Sequence, residues 1–205
     1  MTNPTVKPNR DKIILHLCAD IGSDSKPYKD AGYDVRCIGR DIGVENYRPP
    51  ENVYGIIANP PCTMFSIART NAKTPRDIEE GLICVRHCQR IIWECQTRMV
   101  AKHVPYKLNF WYMENPATGY LKNYLGKPTY VYHPYEFGEK YTKATALWGI
   151  FNEPKKAWWG QEKPPKGSSI KEMFPKMKYR NKEELMHVRS MCCEGFAKSF
   201  FDANK

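Results

Sequence analysis

The chain has 205 residues, 41% hydrophobic and 13% aromatic, enough to bury one sizeable core and short for two. Its formal net charge of +10 favours a polyanionic partner, because Lys and Arg that neutralise phosphates gain affinity by releasing counterions. No run approaches the roughly 20 apolar residues of a membrane span, and the opening residues, with Lys7, Arg10 and Asp11, lack a signal-peptide pattern, so a soluble cytoplasmic protein with no membrane partner is expected.

Residues 1–10, polar with two prolines, read as a loose arm. A first strand is expected over Lys12–Cys18, closed by the turn Ala19-Asp20-Ile21-Gly22-Ser23-Asp24, followed by a short helix over Ser25–Ala31. Gly32 then leads to a β-branched run, Tyr33–Ile38, ending near Asp41. A third strand, Val53–Ala58, runs into Asn59-Pro60-Pro61-Cys62, where two prolines forbid ladder bonding and force an irregular loop.

The segment Asp77–Val100 is the clearest helix, since Ile78, Leu82, Val85, Cys88, Ile92, Cys95 and Met99 recur at steps of three or four. A further strand, Leu108–Met113, stops at Glu114-Asn115-Pro116. Thr129–Tyr135 and Thr145–Phe151 read as strands that extend the sheet, as an antiparallel pair in one arrangement, with Gly138, Lys140 and Lys143 in the loop between. Pro154–Asn181 reads as irregular, and Lys182–Ala203 as helical with a break near Cys192-Cys193-Glu194-Gly195.

The fold class is therefore α/β, a mostly parallel sheet with helices on both faces and ligands at the carboxyl ends of its strands. The three polar turns at 19–24, 59–62 and 114–116 fall on that edge. Residues 1–153 would form the core, 154–181 a basic Pro/Lys-rich segment, and 182–205 a helical region packing back on the core. Between Pro154 and Arg189 there are ten Lys or Arg against four Glu, a local excess of +6. Eight cysteines occur without a Cys-x-x-Cys pair, and the adjacent Cys192-Cys193 suits neither a bridge nor zinc, so reduced thiols and no metal are expected. Cys88 and Cys95 lie on the apolar stripe of the long helix and are expected to be buried small residues.

A thiol at Cys62 and a carboxyl group at Glu114 suit chemistry in which a thiolate adds to an electron-poor ring while an acid stabilises the developing charge. Asn59-Pro60-Pro61-Cys62-Thr63-Met64-Phe65-Ser66 resembles the Pro-Cys nucleophile loop of DNA cytosine carbon-5 methyltransferases, and Glu114-Asn115-Pro116 resembles their Glu-Asn-Val or Glu-Asn-Pro motif. Leu17 to Ser23, followed by Ala31-Gly32-Tyr33, resembles their cofactor loop and its trailing Ala-Gly-aromatic. Tyr141 to Gly149 and the closing Gly195 to Asn204 are similar to stretches of short phage- or prophage-type members.

The resemblance implies a Rossmann-like fold dependent on S-adenosylmethionine and methylation of cytosine carbon-5 in double-stranded DNA with the base flipped out. Cys62 would be the nucleophile and Glu114 the acid. Ala19, Asp20, Ile21, Gly22, Ser23, Asp41 and Pro60 would hold the cofactor, and Ser66, Asn115, Lys140 and Lys143 the substrate. Phe196, Phe200 and Phe201 would pack a helix near the cofactor or simply fill the core. Departures from the longer enzymes are Asp20 in place of a first glycine, no Gln-x-Arg-x-Arg motif, and no large target-recognition domain. The basic segment with Trp158 and Trp159 would grip the strand instead. Asn59-Pro60-Pro61 is also similar to the Asn-Pro-Pro-aromatic motif of amino-group methyltransferases, against which Cys62 and Glu114 argue. A carbon-5 enzyme acting on RNA or a free nucleotide, and a noncatalytic nucleic-acid-binding protein of the same fold, are the alternatives.

Overall fold

The computed structural model describes residues 9–19, 21–69, 72–101, 108–157, 163–165, 167–169, 181, 184 and 189–205. Asp20, Trp158, Trp159 and most of the basic segment, including Lys166, Lys171, Lys176, Lys178, Arg180 and Lys182, lie outside the described residues. The core is a six-stranded sheet of β1 (Ile13–Leu17), β2 (Asp34–Ile38), β3 (Val53–Ala58), β4 (Phe110–Pro116), β5 (Tyr130–Tyr132) and β6 (Thr145–Ile150), in the order β2-β1-β3-β4-β6-β5. The first four strands are parallel, while β6 runs antiparallel to both β4 and β5.

Alternation along the buried strands sends side chains to two cores. Leu15, Leu17, Ile56, Ala58 and Met113 face one side, where α2 (Ile78–Ala101) lays down Leu82, Val85, Cys88, Ile92 and Cys95. Cys88 and Cys95 are fully buried there, small apolar fillers as their helical spacing predicts. Asp77 caps α2 by accepting the Glu80 amide at 2.9 Å, and Glu79 and Glu80 complement the positive end of the helix dipole.

Ile14, Ile57, Phe110, Tyr112 and Leu147 face the other side, against α1 (Lys26–Asp30) and the C-terminal helix, which is α4 (Glu194–Asn204) after the short α3 (Lys122–Leu125). Phe196 stacks on Tyr132 at 4.0 Å between centroids, and Phe200 packs edge-on to Tyr112 at 4.8 Å. These are core contacts, each burying apolar area worth about 1.5–3 kcal/mol per side chain. Gly195 is required at the start of α4, since a Cβ there would sit 1.9 Å from the Phe137 carbonyl oxygen.

Two boundaries differ most from expectation. The fourth strand does not stop at Met113 but carries Glu114, Asn115 and Pro116, paired with Leu147, Ala146 and Thr145 of β6. Pro116 is tolerated because it is the terminal residue of the ladder, where its missing N–H costs least. The fifth strand is only Tyr130–Tyr132, since Pro134 turns the chain into a 3-10 turn over Pro134–Phe137. The break near Cys192 is present, with α4 starting at Glu194. Among the described residues no helix is long and apolar enough to cross a membrane.

Candidate active site

In an open α/β sheet, ligands bind outside the carboxyl ends of the strands where successive crossovers leave in opposite directions. Here the chain goes from β1 out to β2 and returns to β3 on the far side of β1, so that point lies between β1 and β3. The loops leaving these strands, residues 18–25 and 59–66, carry the expected cofactor turn and the expected nucleophile. They are tied to each other at their roots, where the Asn59 amide bonds to the Leu17 carbonyl at 3.0 Å.

After β1, Cys18 takes a left-handed φ of 56°, uncommon for a residue with a side chain, and Gly22 turns the chain back at φ 71°. Ala19 is anchored to β2 through its amide and the Ile38 carbonyl at 3.2 Å. Asp24, 5% exposed, accepts hydrogen bonds from Ser23 Oγ (3.2 Å), Asn59 Nδ2 (3.2 Å) and Tyr112 Oη (2.9 Å). With the amide nitrogen of Asn59 on Asp24, its oxygen faces His16, which must carry hydrogen on Nε2 to donate across 3.1 Å. His16 Nδ1 meets Ser25 Oγ at 2.9 Å, and burial lowers the imidazole pKa against the opposing charge of Asp24.

After β3, the amides of Phe65 and Ser66 both bond to the Cys62 carbonyl, at 3.0 and 2.8 Å, coiling the loop tightly behind the thiol. Phe65, 1% exposed, pins that coil into the core beneath α2. Arg76 donates to the carbonyl oxygens of Met64 and Ser66 and lies 4.9 Å over the Tyr120 ring. Asn115 is fully buried and donates through Nδ2 to the Pro60 carbonyl at 3.0 Å, whereas its Oδ1 has no partner among the described residues. It braces the Cys62 loop from β4, a role that the expected contact with substrate does not include.

Glu114 lies in a recess lined also by Asp24, Asn59, Tyr132, Tyr141 and Lys143. Ser190, Met191, Cys192 and Cys193 close its other side, held by the Cys192 amide on Ser23 Oγ at 3.0 Å and by Lys143 Nζ on the Arg189 carbonyl at 3.2 Å. Its free volume is about 10 Å³, the room of a single water. Burial raises the Glu114 pKa; Lys143 opposes the rise and Asp24 adds to it.

Cys62 is exposed beside this recess and does not line it. The protein around its sulfur still pushes the thiol pKa up, the Glu114 charge adds to that, and Lys143 and Arg189 oppose it. Thiol, carboxyl and ammonium groups thus act on one another at one edge of the sheet. Of the expected substrate lysines, Lys143 faces the recess, and Lys140 is exposed and outside its lining. Asp41 is exposed in the turn after β2 and lines no part of the recess. Asp24, Tyr132, Tyr141 and the 190–193 wall were not singled out from sequence as site residues. The acidic residue inside the first turn was the one available signal among them.

No group of three or more His, Cys, Asp or Glu side chains suited to a metal ion occurs among the described residues. A scan of the chain against protein-family models finds no match, and neither does a search of curated proteins.

Proposed function

We propose that the protein is a short, phage-type DNA cytosine carbon-5 methyltransferase of Rossmann-like fold, transferring a methyl group from S-adenosylmethionine to cytosine in duplex DNA. The observation that carries this reading is that Glu114 on β4 lies close enough to Cys62, in the loop after the neighbouring parallel strand β3, for its charge to act on the thiol, with Lys143 acting on both. The turn after β1 would take the cofactor's polar end. It follows β1, a strand beside the crevice between β1 and β3, and Gly22 reverses its chain at a positive φ. Ala19, Ile21, Gly22 and Ser23 would hold the cofactor, with Asp41 on the next strand end and Asp20 from the same turn. When bound, it supplies an electrophilic methyl group.

The remaining chemistry belongs to the chain. The Cys62 thiolate adds to carbon-6 of a flipped cytosine, and Glu114, as the acid, donates its proton to the ring nitrogen so that electron density collects at carbon-5. The two demands reinforce each other: once Glu114 is protonated, the negative charge that disfavours the thiolate is gone, and Lys143 and Arg189 are left to favour it. Loss of the carbon-5 proton to a base then allows the sulfur to leave. Lys143 faces the place the base would take, and the basic stretch of 154–189 supplies attraction for phosphate.

The test is incubation with donor and unmodified duplex DNA, RNA or cytidine mononucleotide, followed by nucleoside mass analysis. Methylated cytosine from duplex DNA, and a covalent adduct with a 5-fluorocytosine duplex that maps to Cys62, are expected. Methylation of RNA or the nucleotide alone would move the substrate class. No 5-methylated product from any of the three would end the reading.

A further inference from the structure

The recess holds two carboxyl groups in opposite surroundings. Asp24 receives three donors, from Ser23, Asn59 and Tyr112, and two of these are themselves fixed: Tyr112 belongs to β4, and Asn59 is held by His16 of β1. The Glu114 carboxyl has no hydrogen bond from any described residue, and it stands on the same face of β4 as Tyr112, two residues along. Two carboxyl groups sharing a poorly solvated space cannot both ionise cheaply, and the one surrounded by donors keeps the charge. An acid that must hand over a proton near neutral pH needs such a partner.

We infer that Asp24 is a positioning residue for the acid step, an anion fixed by Ser23, Asn59 and Tyr112 that keeps Glu114 as a proton donor. This rests on the methyl-transfer reading of the same site. Among the described residues, the other titratable groups facing Glu114 are Cys62 from the β3 loop, Tyr132 from β5, Tyr141 and Lys143 from the approach to β6, and Cys192 and Cys193 from the entry to α4. Lys143 is the one cation among them and acts in the opposite sense to Asp24. Burial of Glu114 supports the assignment, since it already disfavours the charged form.

In this arrangement the productive form carries its proton on Glu114 and its negative charge on Cys62. Its share of the molecules is constant between the two titrations and falls outside them, so the acid limb of kcat/KM reports Glu114. Removing the Asp24 charge makes Glu114 more acidic. The acid limb then moves to lower pH, and the plateau rate falls by the same factor as the acidity constant rises.

The experiment titrates the ¹³C-labelled Glu114 carboxyl by NMR, assigned by its loss in Glu114→Gln, in the full-length wild type, Asp24→Asn, Asp24→Ser and Tyr112→Phe. Asp24→Asn can keep its oxygen on Asn59 and Tyr112, Asp24→Ser removes the charge in a smaller side chain, and Tyr112→Phe keeps the charge while losing one donor. Thermal melts establish which variants fold. The expected result is a Glu114 midpoint that falls in the Asp24 variants and stays in Tyr112→Phe, with the acid limb of methyl transfer tracking it. A midpoint unmoved by loss of the Asp24 charge overturns the inference, whatever the activity. A moved midpoint in a protein that transfers no methyl group supports the pairing of the two carboxyls and overturns the methyl-transfer reading.

Discussion

Asn115 of β4 reaches the carbonyl of Pro60 across 55 residues of chain and 3.0 Å of space, so the strand that bears the acid also holds the loop that bears the thiol. The bond is fully buried, and its loss leaves a carbonyl without a partner. Asn115→Ala is therefore expected to cost about 1–3 kcal/mol in urea denaturation. It should also slow methyl transfer while leaving affinity for the donor near wild type, which calorimetry measures. A variant with unchanged stability would mean the brace carries no energy.

Cys62→Ser should abolish turnover with little change in donor affinity, because a hydroxyl lacks the nucleophilicity of a thiolate. Glu114→Gln should lower the rate by about 10²–10⁴-fold, the range for loss of a positioned acid. Single-turnover methylation of a labelled duplex reads both. Normal methylation by Cys62→Ser would remove the sulfur from the mechanism.

The raised pKa of Glu114 also has a signature in stability. Its native pKa lies above that of the unfolded chain, so the native state binds the proton more tightly, and stability is lost as pH rises from the ordinary carboxylate range through the native value. Glu114→Gln, which cannot ionise, is expected to be more stable than wild type at neutral pH, with the gap closing below the ordinary Glu range. Chemical denaturation at several pH values checks this. A gap of constant size across pH would refer it to packing.

Alkylation should sort the thiols by position. Cys37 and Cys62 are exposed, and Cys88, Cys95 and Cys193 are buried. Iodoacetamide on the folded protein should modify the first two, and the others only in denaturant. The Cys62 rate should keep climbing with pH beyond the ordinary thiol range, because the protein packed around its sulfur and the Glu114 charge push its pKa up. Peptide mass mapping follows each site.

Much of this architecture is legible in the sequence, because periodicity survives wherever one face of an element is buried. The seven-residue stripe from Ile78 to Met99 marks α2, and the strand ends at Leu17 and Ala58 are marked by the turn and prolines that follow. Cys62 stands out in sequence just past the end of β3, and Glu114 near the end of β4. The extension of β4 through Pro116 was not visible, since it depends on β6 arriving alongside. Nor was it legible that Lys143 lines the recess and Lys140, three positions earlier, does not, which only the packing of the loop distinguishes. The wall at 190–193 meets Ser23 across 169 residues, a contact that no local pattern encodes. The Asp24 network fails for the same reason, its donors coming from β3 and β4.

The reversed direction of β6 has a practical corollary. Because that strand enters the sheet at the edge where its neighbours leave it, the connection arriving before it, residues 138–144, overlooks the recess. Gly138 there is exposed, and a Cβ built on it meets nothing within 4 Å. Extra sequence spliced at this bend would lie beside the recess without breaking the β4–β6 ladder, which makes it a natural graft point for an added module.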